Sequence, residues 1–148
     1  MITYCNFVGI NFNKIKAEKT KNKLENLKID SQIKILDIKK TKTDFFKIKE
    51  DLIEIDFSFL INYSPDIANI ELSGKIVLAV SAKVVKDIMK KWENKKISET
   101  PDDFRLPLFN LILKKSTLRA LQLEEELNLP IHISLPLLQK QNNTNNSN

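Results

Sequence analysis

Between Ile53 and Tyr63 every odd-numbered residue is apolar: Ile53, Ile55, Phe57, Phe59, Ile61 and Tyr63. The positions between them include Glu54, Asp56, Ser58 and Asn62. Successive side chains of a strand point to opposite faces, so this pattern builds a strand with one buried and one wet face. Ser64, Pro65 and Asp66 supply turn chemistry. A second alternation then runs through Ile70, Leu72, Gly74, Ile76, Leu78 and Val80, against Asn69, Glu71, Ser73 and Lys75. Two alternating runs around a short Pro-Asp turn predict an antiparallel hairpin. Its apolar face has to be covered by something else in the chain.

The residues before the hairpin also read as strands. Ile29, Ile33 and Ile35 share one parity and Leu36 and Ile38 the other, the mark of a β-bulge or of a strand buried on both faces. Met1 to Ile15 is strand-like and less regular. The lysine-rich stretches Lys14 to Lys23 and Lys39 to Lys49 hold no Gly or Pro, so they read as extended hairpin ends as readily as loops.

After Val80 the period changes from two to that of a helix. Ser81 is placed to cap a helix with Val84, Val85, Ile88, Met89 and Trp92 on one face and Lys83, Lys86, Lys90 and Glu93 on the other. A polar break covers Asn94 to Ser98, and Thr100, Pro101 and Asp103 resemble a helix start with proline at the first position. From about Leu106 to Asn128 a long helix is expected, with Phe109, Ile112, Leu113, Ser116, Ala120, Leu123 and Leu127 in one stripe. At about 100° per residue, Leu111 and Leu118 project nearly opposite that stripe, flanked by Leu108 and Leu121. One stripe is enough to pack a helix on a sheet. The other four leucines are therefore either covered by the first helix or the C-terminal segment, or they line a subunit interface or an apolar groove.

Leu129 to Leu138 carries Pro130 and Pro136, with Ile131, Ile133 and Leu135 alternating between them, and reads as an extended arm or edge strand. Gln139 to Asn148 is polar and rich in asparagine, and is expected to be a disordered tail behind a single domain spanning residues 1–138.

The residues needed for chemistry are scarce. Gly9 and Gly74 are the only glycines, so neither a dinucleotide fingerprint nor a phosphate-binding P-loop can be assembled. Cys5 is the single cysteine, which excludes an internal disulfide and a multi-cysteine metal cluster. His132 is the single histidine, set in a Pro-flanked apolar segment where a packed or surface ring is the expected role. Glu124, Glu125 and Glu126 are consecutive on a helix and fan out instead of converging on a metal. Asp102 and Asp103 fit a helix first turn, where the dipole favours acids. No catalytic residues, metal or cofactor are assigned.

The net charge of +5 and pI near 9.2 raise a nucleic-acid partner, but only two of the 24 basic residues, Arg105 and Arg119, are arginines. Base readout and bidentate phosphate contacts favour the planar guanidinium, so the lysines read as a solvated surface. Phe45 and Phe46 among Lys39, Lys40, Lys42, Lys47 and Lys49 could stack bases, although no RNA-binding motif surrounds them. The start of the chain lacks a secretory signal pattern. The longest apolar run, Ile76 to Val80, falls far short of the ~20 residues that span a bilayer. A cytoplasmic protein is expected.

The order of elements, with Phe57, Phe59, Tyr63 and Pro65 in the hairpin, Gly74, and the ending Leu129-Pro130-Ile131-His132-Ile133, resembles the SecB family of export chaperones over Ile2 to Leu138. The resemblance implies an α+β fold, an antiparallel four-stranded sheet followed by two helices. It also implies ATP-independent binding of unfolded clients, and assembly as a dimer or a tetramer of paired dimers. SecB proteins are acidic and use that charge to engage the SecA translocase motor; this basic chain departs from them. SecB-like relatives also serve as chaperones of toxin–antitoxin systems, where a basic variant would fit. No family client-binding residue carries over by motif. The expected function is a holdase for unfolded polypeptides, with Leu108, Leu111, Leu118 and Leu121 as client-binding or interface residues. The rivals are a nucleic-acid-binding module using the lysine-rich connectors and an enzyme using Cys5 or His132.

Overall fold

A computed structural model describes residues 5–41, 50–136, 138 and 140 of the chain. The alternating segments form four long strands: β1 (Cys5–Lys19), β2 (Lys28–Thr41), β3 (Glu50–Ser64) and β4 (Ala68–Ser81). Two helices follow, α1 (Ala82–Glu93) and α2 (Asp102–Glu126), joined through a short 3₁₀ turn at Ile97–Glu99. The expected α+β fold, an antiparallel four-stranded sheet followed by two helices, is the one observed. Phe45, Phe46 and residues 141–148, including most of the expected tail, lie outside the described residues.

The hairpin is β3–β4, in register from Glu50↔Ser81 to Tyr63↔Ala68. Strand order is β1-β4-β3-β2, so the chain places the hairpin in the middle and β1 and β2 at the edges. This order protects the most regular alternation. The six odd-numbered apolar residues of β3 are each at most 1% exposed, because strands on both sides and helices on one face enclose them.

The parity change in β2 is a bulge. Register slips between Ile35 and Asp37, which turns Leu36 outward to 51% exposure and returns Ile38 to the core. Next to it, burial disfavours the charge of Asp37, but bonds from the Trp92 indole N–H and the Ile38 amide, with Lys39 nearby, hold its carboxyl below the usual range. β1 carries two irregularities, between Phe7 and Gly9 and between Phe12 and Lys14.

Gly74 is required by space, not by backbone conformation. A Cβ there would collide with the Asn11 carbonyl oxygen and press on the Phe57 ring 3.0 Å away. Phe57 fills the vacated room and meets Phe12 edge-on, with ring centroids 6.2 Å apart.

The core has two parts beneath the helices. One gathers Ile53, Ile55, Phe57, Ile76, Leu78 and Val80 under Val85, Ile88 and Trp92 of α1 and the first half of α2. The other joins Phe59, Ile61, Tyr63, Ile70 and Leu72 to Ala120, Leu123 and Leu129. The apolar face expected for α1 is the one it buries. The opposite face of the sheet is polar and ion-paired, as in Lys14–Glu71 and Lys75–Glu54. The Glu54 hydrogen bond and charge, helped by Asp56, raise the Lys75 ammonium above its ordinary range.

Candidate functional site

α2 begins at Asp102, four residues before the expected start, so Pro107 lies inside the helix and Phe104 joins its buried face. The row facing the sheet is Phe104, Leu108, Ile112, Ser116, Ala120 and Glu124, with Leu123 beside it. A strict four-residue repeat advances about 40° per step around a helix that turns about 100° per residue. The buried row therefore winds around α2, and one wheel position is inside at one end and outside at the other.

That winding corrects the expected stripe. Phe109 is half-buried and Leu113 is 46% exposed, whereas Leu108, expected off the main stripe as a client-binding or interface residue, is a core residue at 2%. Leu108 thereby leaves the set of surface candidates. Leu111 and Leu121 are half-buried, and Leu118 is 57% exposed. Leu111 lines a small apolar cavity of about 220 Å³ with Phe7, Leu78, Phe104, Pro107 and Leu108. Leu118 lines a separate open groove and does not meet Leu111 there.

The end of α2 sets up that groove. Asn128 adopts a left-handed conformation at φ 53°. The amide of Leu129 donates to the Glu124 carbonyl at 2.8 Å, and that of Asn128 to Glu125 at 3.2 Å. This pairing is the Schellman arrangement, which asparagine tolerates better than most residues. The Lys19 ammonium donates to the Leu127 carbonyl at 3.1 Å and to that of Asn128 at 3.4 Å, adding positive charge where the helix dipole favours it. The chain reverses, Leu129 enters the core, and the arm runs back along α2. The arm is irregular backbone and not the edge strand suggested by its alternation.

Its Ile133 forms one wall of an apolar groove of about 400 Å³, with Leu113 and Leu118 of α2 as the other. Asn110, Lys114 and Thr117 rim it with polar groups. Leu113 and Ile133 were not singled out as site residues by sequence. The signal was present in the Ile133-containing alternation and in a leucine displaced from its expected stripe.

Beneath the arm lies a buried polar cluster. The His132 side chain is 3% exposed, with Nδ1 2.9 Å from Glu124 Oε1, and its ring meets Phe59 edge-on at 5.8 Å between centroids. The Tyr63 hydroxyl is within hydrogen-bond reach of Glu124 Oε2 and lies 2.9 Å from the Pro130 carbonyl oxygen, so one proton faces two acceptors. Burial, then the hydrogen bond and charge of Glu124, push the Tyr63 phenol far above its ordinary range. His132 Nε2 is enclosed and has no partner. Glu125 and Glu126 are exposed, as expected of consecutive glutamates, but Glu124 is wholly buried, and sequence gave no sign of its pairing with Tyr63.

Among the described residues no group of three His, Cys, Asp or Glu side chains is placed to hold a metal ion. No described helix is long and apolar enough to cross a membrane.

No protein-family model matches the sequence, and no curated protein matches it. Among solved structures the chain is similar to the SecB-like chaperone Rv1957 of Mycobacterium tuberculosis, solved in complex with a ChAD peptide from the Rv1956 HigA1 antitoxin. The match covers 94% of each chain at a TM-score of 0.50 and 11% identity. The chain has the SecB-like fold.

Proposed function

We propose that this protein is an ATP-independent holdase that captures apolar segments of unfolded or partly folded chains in the groove between α2 and the C-terminal arm. The observation that carries this reading is the groove itself, where Leu113 and Leu118 stay 46% and 57% exposed opposite Ile133. A contiguous apolar surface kept in water generally marks an interaction site. The SecB-like neighbour, which holds an antitoxin peptide, supports a peptide or antitoxin segment as the client.

Among the described residues no strand pairs with the outer edge of β1, which supports a second feature, self-association. Phe7 is 51% and Val8 59% exposed on an edge strand, where unpaired backbone groups invite another strand. We assign this edge to a dimer or higher oligomer, with a translocase or antitoxin as a further partner.

For the rival nucleic-acid reading, Lys14 and Lys40 of the lysine-rich connectors are engaged by Glu71 and Asp51. Paired lysines offer less counterion release than free ones. This favours the chaperone.

The test is light scattering of aggregating clients with wild-type protein and with Leu113→Ser/Leu118→Ser. Wild type at equimolar ratio should suppress aggregation of several unrelated clients. The double variant should lose that suppression while its melting temperature stays within a few degrees, because exposed positions contribute little to stability. Wild type that protects no client, yet shifts RNA or DNA at low salt, would replace this reading with the rival.

A further inference from the structure

The arm is inside out. A segment reading Ile131-His132-Ile133-Ser134-Leu135 would be expected to bury its apolar side chains and leave the imidazole in water. Instead the His132 side chain is 3% exposed, while Ile131 is 37% and Leu135 49% exposed. Burial of Ile131 and Leu135 is not what fixes this orientation. The polar cluster under the arm can fix it.

Three elements contribute to the cluster: Tyr63 from β3, Glu124 from α2, and His132 with the Pro130 carbonyl from the arm. Lys19 of β1 stands at the hinge, on the carbonyls of Leu127 and Asn128. Glu124 is 0% exposed, and a buried carboxyl group left without partners is costly. The closed arm supplies the partner on Oε1. His132 makes its one side-chain hydrogen bond through Nδ1 and rests its ring on Phe59, while Nε2 has no partner. The hold is thus specific and narrow, the character of an element that opens locally without unfolding the rest.

We propose that Tyr63, Glu124 and His132 form a clasp that turns the arm's isoleucines outward, so that the groove exists only while the clasp is shut. The three act as positioning residues for the site proposed above, and the inference rests on that site being the groove. When the clasp opens, Ile133 is released from the wall opposite Leu118, and the groove loses one side. A client that binds between the walls stabilises the shut state by the same free energy with which the shut state favours the client.

The experiment compares wild type with Tyr63→Phe, Glu124→Leu and Glu124→Gln. Two quantities are read: the rate at which thermolysin, which cuts before bulky aliphatic residues, cleaves His132–Ile133, and the affinity for a reduced, carboxymethylated protein that cannot refold. Glutamine is the informative control. Its carboxamide can accept from His132 and donate to the Tyr63 oxygen, leaving the phenol proton for Pro130.

Tyr63→Phe and Glu124→Leu are expected to speed arm cleavage about tenfold with the main melting transition kept, because cleavage follows the open population. Probe affinity follows the shut fraction, so it should fall by less than about twofold while the shut form stays the major one. Glu124→Gln should stay within about twofold of wild type in both readings. Unchanged arm cleavage in Tyr63→Phe and Glu124→Leu would overturn the clasp. So would cleavage throughout β3 and β4 in step with the arm, or a glutamine variant as loose as the leucine one. Cleavage needs no client, so wild type that bound no unfolded chain would defeat the groove reading and leave the clasp to the protease.

Discussion

Gly74 shows how one residue fixes a fold without any unusual backbone angle. It stands in the middle of the central strand β4, where glycine is normally a weakness, because Asn11 of β1 and the Phe57 ring occupy the space of a side chain. Its place in the alternation was legible in the sequence, and the reason for it was not, since the neighbouring strand β1 comes from a distant stretch of the chain. Replacing Gly74→Ala should cost about 2–3 kcal/mol through overpacking, read as a lower denaturant midpoint at unchanged slope. A neutral substitution would mean that β1 can slide away from β4. Glu124 and His132 make the complementary case. Each was read alone, as one acid of three on a helix and as a ring in an apolar segment. Glu124 meets Tyr63, 61 positions away, through the packing of α2 on the sheet, and His132 joins them only through the chain reversal at Asn128.

Among the elements, the strands and α1 were readable because their periods match their geometry throughout. β3 and β4 alternate without a break, β2 announces its bulge by changing parity at Leu36, and α1 keeps one face. α2 defeated a simple wheel because its buried row follows a four-residue spacing and winds as it goes. Leu108 is inside at one end, and Leu118, ten residues on, is outside. The same element ends in a turn that deserves a direct test. Asn128 at φ 53° sends the arm back along the helix, and a β-branched residue is poorly suited to that conformation. Asn128→Val should destabilise by about 1–2 kcal/mol, while Asn128→Gly should stay within about 0.5 kcal/mol of wild type. Thermal melts of the pair would show this ordering, and equal melting points would mean that the reversal is fixed by Leu129 and Lys19 instead.

At the scale of the molecule, one face of the sheet is covered by helices and the other carries ion pairs such as Lys14–Glu71 and Lys75–Glu54. Apolar side chains stay accessible at the β1 edge and in the groove between α2 and the arm, and also singly at Leu24, Leu36 and Leu106. The sheet with two helices could be anticipated from the order of alternating and helical segments, and the fold it resembles could be named. The groove could not be drawn in advance, because its second wall belongs to an arm whose orientation runs against its own hydrophobic pattern. Photo-crosslinking tests the central reading most directly. A photoreactive side chain is introduced at Leu118 in the groove or, separately, at Ser58 on the polar face of the sheet, and a reduced, carboxymethylated client is added. Crosslinks at Leu118 with little or none at Ser58 are the expected result; equal labelling at both positions, or none at Leu118, would contradict the groove as the place where clients bind.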